Sequence, residues 1–217
     1  MTTSDIINLC LTIVTIIIAT IALWQTQKQT KLSNKQQLFD RRLEQYHLIK
    51  ELLSLYEQER NLLQKDKTIA EGITSHFIFL TNNSRLESMA SVISNPLGQE
   101  EKINFLKKCE MLEKATIEIT LIWKEDCAKD LSEFVSLYVK LLKSLHKQAI
   151  IIKNLEEENK QKNAFGHAIS LDVYLKKLND WAENNKLFEF IKLIEESFIK
   201  IKNTNAEQKL KESLMLY

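Results

Sequence analysis

Apolar and polar positions divide this chain into three unequal stretches. From Ile6 to Trp24, nineteen residues carry no charge, and eight of them are isoleucine or valine. As a helix this run spans roughly 28 Å, the thickness of a bilayer's hydrocarbon core, with Trp24 at the position of an interfacial aromatic. Residues 25–37 then read Gln-Thr-Gln-Lys-Gln-Thr-Lys-Leu-Ser-Asn-Lys-Gln-Gln, with Leu32 the single apolar residue. This reads as a polar juxtamembrane stalk continuing the same helix. From Leu38 onward the apolar positions recur at steps of three and four. Phe39, Leu43, Tyr46, Ile49, Leu53, Tyr56 and Leu63 mark one face of a helix reaching about Lys65.

Further helices follow by the same rule. Residues 68–80 carry Ile69, Ile73, Phe77 and Leu80, and Asn82-Asn83-Ser84 makes a turn. A short helix over 85–94 carries Leu86, Met89 and Ile93. Asn95-Pro96-Leu97-Gly98 is the clearest break. A long helix runs from Glu100 through Ile103, Leu106, Leu112, Ile119 and Ile122 to Trp123. Asp130 with Glu133 reads as a capping box opening the next, which carries Phe134, Tyr138, Leu141, Leu145 and Ile152 to about Asn159. The run from Lys160 to Ser170, with Gly166, is the longest expected loop. Three shorter helices close the chain: 171–183 around Leu178 and Trp181, 187–202 around Phe188, Ile191, Ile194 and Phe198, and one after a second capping box, Thr204 with Glu207. The expected fold is all-α: a transmembrane anchor (1–24), a stalk (25–37) and a cytoplasmic antiparallel helical bundle (38–217).

Composition supports the helical reading. The chain has three glycines and one proline, so it lacks the residues that punctuate β structure. A cleaved signal peptide is not expected: Met-Thr-Thr-Ser-Asp precedes the apolar run without a Lys or Arg, and Ala19 and Ala22 lack cleavage-site spacing. Lys28, Lys31, Lys35, Arg41 and Arg42 follow the span, against Asp5 before it. The positive-inside rule then places the N-terminus outside and the body in the cytoplasm of a single-pass protein in the cell membrane. Trp24, Lys28, Lys31 and Lys35 are the expected interface anchors. Cys10, Cys109 and Cys127 form no disulfide framework, as suits a reducing compartment. Cys109 and Cys127 read as core residues.

Within the span, Asn8, Thr12, Thr15, Ala19, Ala22 and Thr26 follow one another at steps of four and three. Small residues allow close helix approach, and Asn or Thr can hydrogen-bond across the contact for about 0.6–2 kcal/mol. The seam therefore predicts self-association or pairing with another membrane protein. The competing expectation is that each threonine bonds back to its own helix.

Charge narrows the partners. The net charge is +1, and setting aside residues 1–37 removes three lysines and Asp5, leaving 27 basic and 28 acidic residues. A nucleic-acid-binding domain would show a basic surplus, so nucleic acid is not expected as a partner; the bilayer is. No small-molecule substrate and no cofactor is implied. Asp126, Asp130 and Glu133 share a helical face but lack a histidine or further acid at matching spacing, so no metal is expected. His76, His146 and His167 are isolated in sequence, and no phosphate-binding glycine loop occurs.

One segment carries possible chemistry. Arg42-Leu-Glu-Gln-Tyr-His47 resembles the motif of HEPN ribonucleases, all-α proteins in which Arg and His of two protomers line an RNA-cleaving cleft. The resemblance covers six residues and has apolar Leu43 after the arginine. It implies His47 as general base and Arg42 as the group stabilising a phosphorane. The preferred expectation is a non-enzymatic protein acting by association, with the membrane-tethered ribonuclease as the alternative. The 26 lysines against four arginines suggest an A/T-rich bacterial genome. In that setting, architecture alone brings phage resistance by abortive infection, or an envelope role, into consideration.

Overall fold

The computed structural model describes residues 3–65, 69–123, 125–164 and 169–215. Every regular element among them is helical: α1 (Thr3–Lys65), α2 (Ile69–Leu80), α3 (Ser91–Ser94), α4 (Gln99–Ile122), α5 (Asp126–Ala164), α6 (Leu171–Asn184), α7 (Leu187–Thr204) and α8 (Ala206–Met215), with a 3₁₀ turn at Glu87–Met89. No glycine or proline interrupts the 63 residues of α1, which extend about 94 Å. Its apolar N-terminal part is long and apolar enough to cross a membrane, and its described side chains are exposed. Residues 25–37 are also helical and exposed. Burial begins at Arg42, where α1 joins the rest of the chain.

One apolar core unites the C-terminal part of α1 with α2, α4, α5, α7 and α8. α5 is its central post, packing against each of these elements and α6. Leu131, Phe134, Val135, Tyr138, Leu141, Leu142 and Leu145 of α5 are buried. Rings from three helices meet there: Tyr56 lies edge-on to Phe134 at 5.8 Å and tilted against Phe198 at 5.3 Å. Arg60 lays its guanidinium 5.0 Å from the Phe198 centroid and pairs with Glu195, so the charged gap in the α1 stripe is filled by a stacked, paired cation. On α1, Tyr46, Ile49, Leu53, Tyr56 and Leu63 are buried as their spacing predicts, while Phe39 stays 38% exposed below the body.

Several local expectations are corrected. α5 starts at Asp126, not at a cap on Asp130. Ala128 and Leu131 already belong to the core, so the apolar face begins a turn earlier and the acid at Asp126 takes the first turn, where negative charge suits the helix dipole. Asp130 instead faces Lys200 of α7 at 2.8 Å. Thr204 is not a cap either: it is the last residue of α7, and its hydroxyl donates to the Lys200 carbonyl at 2.8 Å. Asn205, in the left-handed conformation (φ 50°) that asparagine tolerates, ends the helix. α5 continues to Ala164, beyond the expected end at Asn159; Gly166 and His167 of the expected loop lie outside the described residues. Ser170 caps α6, its hydroxyl oxygen accepting the Val173 N–H. On α4 the inward face is Phe105, Cys109, Leu112, Ala115 and Ile119, whereas Ile103 and Leu106 point outward, as do Ile117 and Leu121. Trp181 and Phe188 are also more exposed than their spacing suggests.

Candidate functional site

The apolar segment, Trp24, Lys28, Lys31 and Lys35, and the junction at Arg42 all lie on α1. Thr12 donates to the Asn8 carbonyl, Thr15 to Leu11 and Thr26 to Ala22, each at 2.8 Å. Thr20 and Thr30, off the seam, do the same. The hydroxyls are thus satisfied within their own helix, the arrangement a threonine needs in hydrocarbon. Each oxygen keeps a lone pair to accept from a neighbour, so the seam remains narrow and polar-tipped. Asn8, Thr12, Thr15, Ala19, Ala22 and Thr26 are all exposed. At the far end, Lys28 places its ammonium 5.6 Å from the centroid of Trp24, an amphipathic pair suited to a membrane interface. Lys31 and Lys35 follow, both exposed.

Arg42 and His47 are not brought together. Five residues apart on one helix, they differ in direction by about 140°. Arg42 is buried, and its Nε and Nη2 donate to the carbonyl of Ile122 at 2.9 and 2.7 Å. Ile122 is the last residue of α4, so its carbonyl has no partner within the helix; the guanidinium supplies one and complements the negative helix end. One turn on, Gln45 donates to Glu118 at 2.7 Å. His47 is exposed on the opposite side and contacts the ring of its neighbour Tyr46.

Of the three carboxylates on α5, Asp126 and Asp130 pair with different lysines and Glu133 is exposed. Asp126 pairs with Lys129 at 3.0 Å, and Asp130 with Lys200, whose ammonium Asp130 holds above the usual range through a hydrogen bond. Among the described residues no group of three His, Cys, Asp or Glu is placed to hold a metal ion. A cleft of 610 Å³ opens beside them, lined by Asp126, Cys127, Lys129, Asp130, Lys209 and Glu212, with both charge signs mixed. Cys109 and Cys127 lie on different helices and are both free; Cys109 is buried and Cys127 half-buried. Burial pushes both thiols up, Cys109 to about 12, the opposite of an activated nucleophile.

Pattern reading missed a buried polar network between α1 and its neighbours. Glu59 Oε1 meets His76 Nδ1 at 2.5 Å with both side chains about 95% buried, tying α1 to α2. Tyr138 donates to the Leu80 carbonyl at 2.6 Å. Tyr56 donates to Glu195 at 3.0 Å, and Arg60 pairs with the same carboxylate. The available signal was Glu59 itself, a charge within the apolar arc of α1. His146 is buried against Phe105, their ring centroids 4.5 Å apart. Comparison of the chain with protein-family models, with curated proteins and with solved structures gives no match, so no relative's chemistry bears on these residues.

Proposed function

We propose that this is a single-pass membrane protein that acts by association, with Ile6–Trp24 as anchor, residues 25–37 as stalk and the remainder as a cytoplasmic antiparallel helical bundle. The observation that carries this reading is the unbroken course of α1 from exposed apolar residues into the buried core. An apolar helix of this length exposed to water would be a severe aggregation liability; in a bilayer it is solvated. The basic flank at Lys28, Lys31 and Lys35 supports an inward-facing body. The seam Asn8, Thr12, Thr15, Ala19, Ala22 and Thr26 offers the narrow face on which anchors can meet, and Arg42 serves as the latch fixing α1 to α4. The protein's output in this reading is the proximity it imposes on its cytoplasmic bodies or on a membrane partner, with no reaction of its own.

The test is the mass of full-length protein in mild detergent by multi-angle light scattering, beside the Asn8→Leu/Thr12→Leu/Thr15→Leu variant. A defined oligomer that the triple variant dissociates is the expected result. A wild-type monomer that also recovers no stoichiometric membrane partner would refute the reading.

A further inference from the structure

Every residue from Gln25 to Gln37 is exposed, and no hydrogen bond or ion pair among the described residues ties them to another element. A helix polar on all sides is stabilised by many ion pairs along its surface, spans solvent between two bodies, or gains its stability from a neighbour. This one contains no acidic residue, and Lys28/Lys31 and Lys31/Lys35 stand at spacings where like charges repel. Thr26, Thr30, Ser33 and Asn34 add little helix propensity. We propose that a second copy of the chain supplies the neighbour, the two stalks pairing in parallel along Thr26, Gln29, Ser33 and Gln36. This rests on the reading of Ile6–Trp24 as a membrane anchor, which makes two copies enter the same bilayer in the same direction.

Four observations select that face and that occupant. The positions prolong the anchor's seam without a change of step: 8, 12, 15, 19, 22 and 26 continue as 29, 33 and 36. At about 100° per residue, Lys28, Lys31 and Lys35 fall within an arc of about 60° on the opposite side, the outer positions of a two-stranded coil. A parallel pair therefore holds all six ammonium groups away from its contact. The chain's own body leaves the face clear, because Arg42, Tyr46, Ile49, Leu53 and Tyr56 are buried on the lysine side of α1. The next seam position is Asp40, where two carboxylates would meet, so the pairing stops just before α1 enters the body. Glutamine and serine at seam positions set register through self-complementary hydrogen bonds and contribute little affinity. Confinement of both anchors to one membrane raises the effective concentration that such a weak contact requires.

The experiment is oxidative cross-linking of full-length protein in its membrane, with Cys10→Ser and Cys127→Ser as background and Cys109 left buried. Single cysteines are placed at 29, 31, 33, 35 and 36, and at Ala19 and Ala22. Gln29→Cys, Ser33→Cys and Gln36→Cys are expected to form dimers at least about five-fold faster than Lys31→Cys and Lys35→Cys, since only seam positions bring Cβ atoms within disulfide reach. Uniform rates along the stalk, or a maximum at Lys31 and Lys35, would overturn the proposal. Dimers from Ala19→Cys or Ala22→Cys with none from the stalk would overturn it while leaving association through the anchor intact. Ser33→Cys joined to a protein of another mass would replace the second copy by a foreign partner. No adduct anywhere, with a monomeric mass in detergent, would end both readings.

Discussion

Replacing Arg42 by Met keeps an apolar stem of similar length and removes the two donors that reach the Ile122 carbonyl at 2.9 and 2.7 Å. Hydrogen bonds from a charged donor contribute about 1.5–3 kcal/mol, and an acceptor left buried without a partner costs about 1–3 kcal/mol. Because Arg42 is only 6% exposed, solvent cannot step in cheaply, and the variant should lose about 3 kcal/mol. For a body of this size that corresponds to a fall of about 6–12 °C in Tm. Arg42→Lys retains the charge without the planar fork and should lose about 1 kcal/mol. The assay is thermal unfolding of full-length protein in one fixed detergent, followed by circular dichroism, with His47→Ala as an exposed control at wild-type stability. An Arg42→Met protein within about 0.5 kcal/mol of wild type would refute the latch. If that stable variant also lost an RNA-cleaving activity, shared with His47→Ala, Arg42 would belong to catalysis instead.

Three further outcomes follow from the buried groups. His76→Leu leaves the Glu59 carboxylate buried without its imidazole and should cost about 3–5 kcal/mol, whereas the double variant with Glu59→Leu should recover much of that, as a double-mutant cycle would show. Burial holds His146 below its ordinary value, Lys102 acting in the same direction and the Pro96 carbonyl against it. The unfolded chain then binds a proton that the folded one refuses. This contribution to stability is complete above the unfolded value of about 6.5 and declines as pH falls below it, a slope that His146→Gln should flatten in denaturation midpoints measured from pH 7.5 to 5. Cys109, pushed up to about 12, should resist iodoacetamide at pH 8 in the native protein and react on denaturation, read by mass spectrometry; rapid native labelling would contradict its burial.

The long apolar helix at the N-terminus, the end of α2 at Leu80 and the break at Pro96 were legible because each rests on local physics: a charge-free run, a lost apolar period, a missing amide donor. Starts and faces were harder. Asp130 with Glu133 and Thr204 with Glu207 have capping spacing, yet longer-range packing places both pairs elsewhere, Asp130 against Lys200 and Thr204 inside α7. α4 carries apolar residues on two sides, and periodicity cannot say which side meets α5. Phe105 and Cys109 turn inward while Leu121 remains 75% exposed. The Glu59–His76 contact joins residues 17 positions apart across a helical hairpin, and a stripe written in apolar letters passes over it. In the candidate site, spacing placed Asn8, Thr12, Thr15, Ala19, Ala22 and Thr26 on one face of α1, where they are exposed. It did not show that the threonines bond within their own helix or that Arg42 is occupied by a helix terminus.

The continuity of α1 makes its residue count an angular setting. Between Trp24 and Arg42 there is no joint in the helix, so the azimuth of the body about the axis of the apolar segment is fixed by how many residues intervene. Inserting one residue there would turn the body by about 100° and raise it about 1.5 Å, while inserting seven would return it nearly to phase about 10.5 Å higher. Height and heading are therefore separable in this molecule. A chain whose output depends on which way its body faces would fail with one added residue and recover with seven, whereas one that depends on distance alone would accept either.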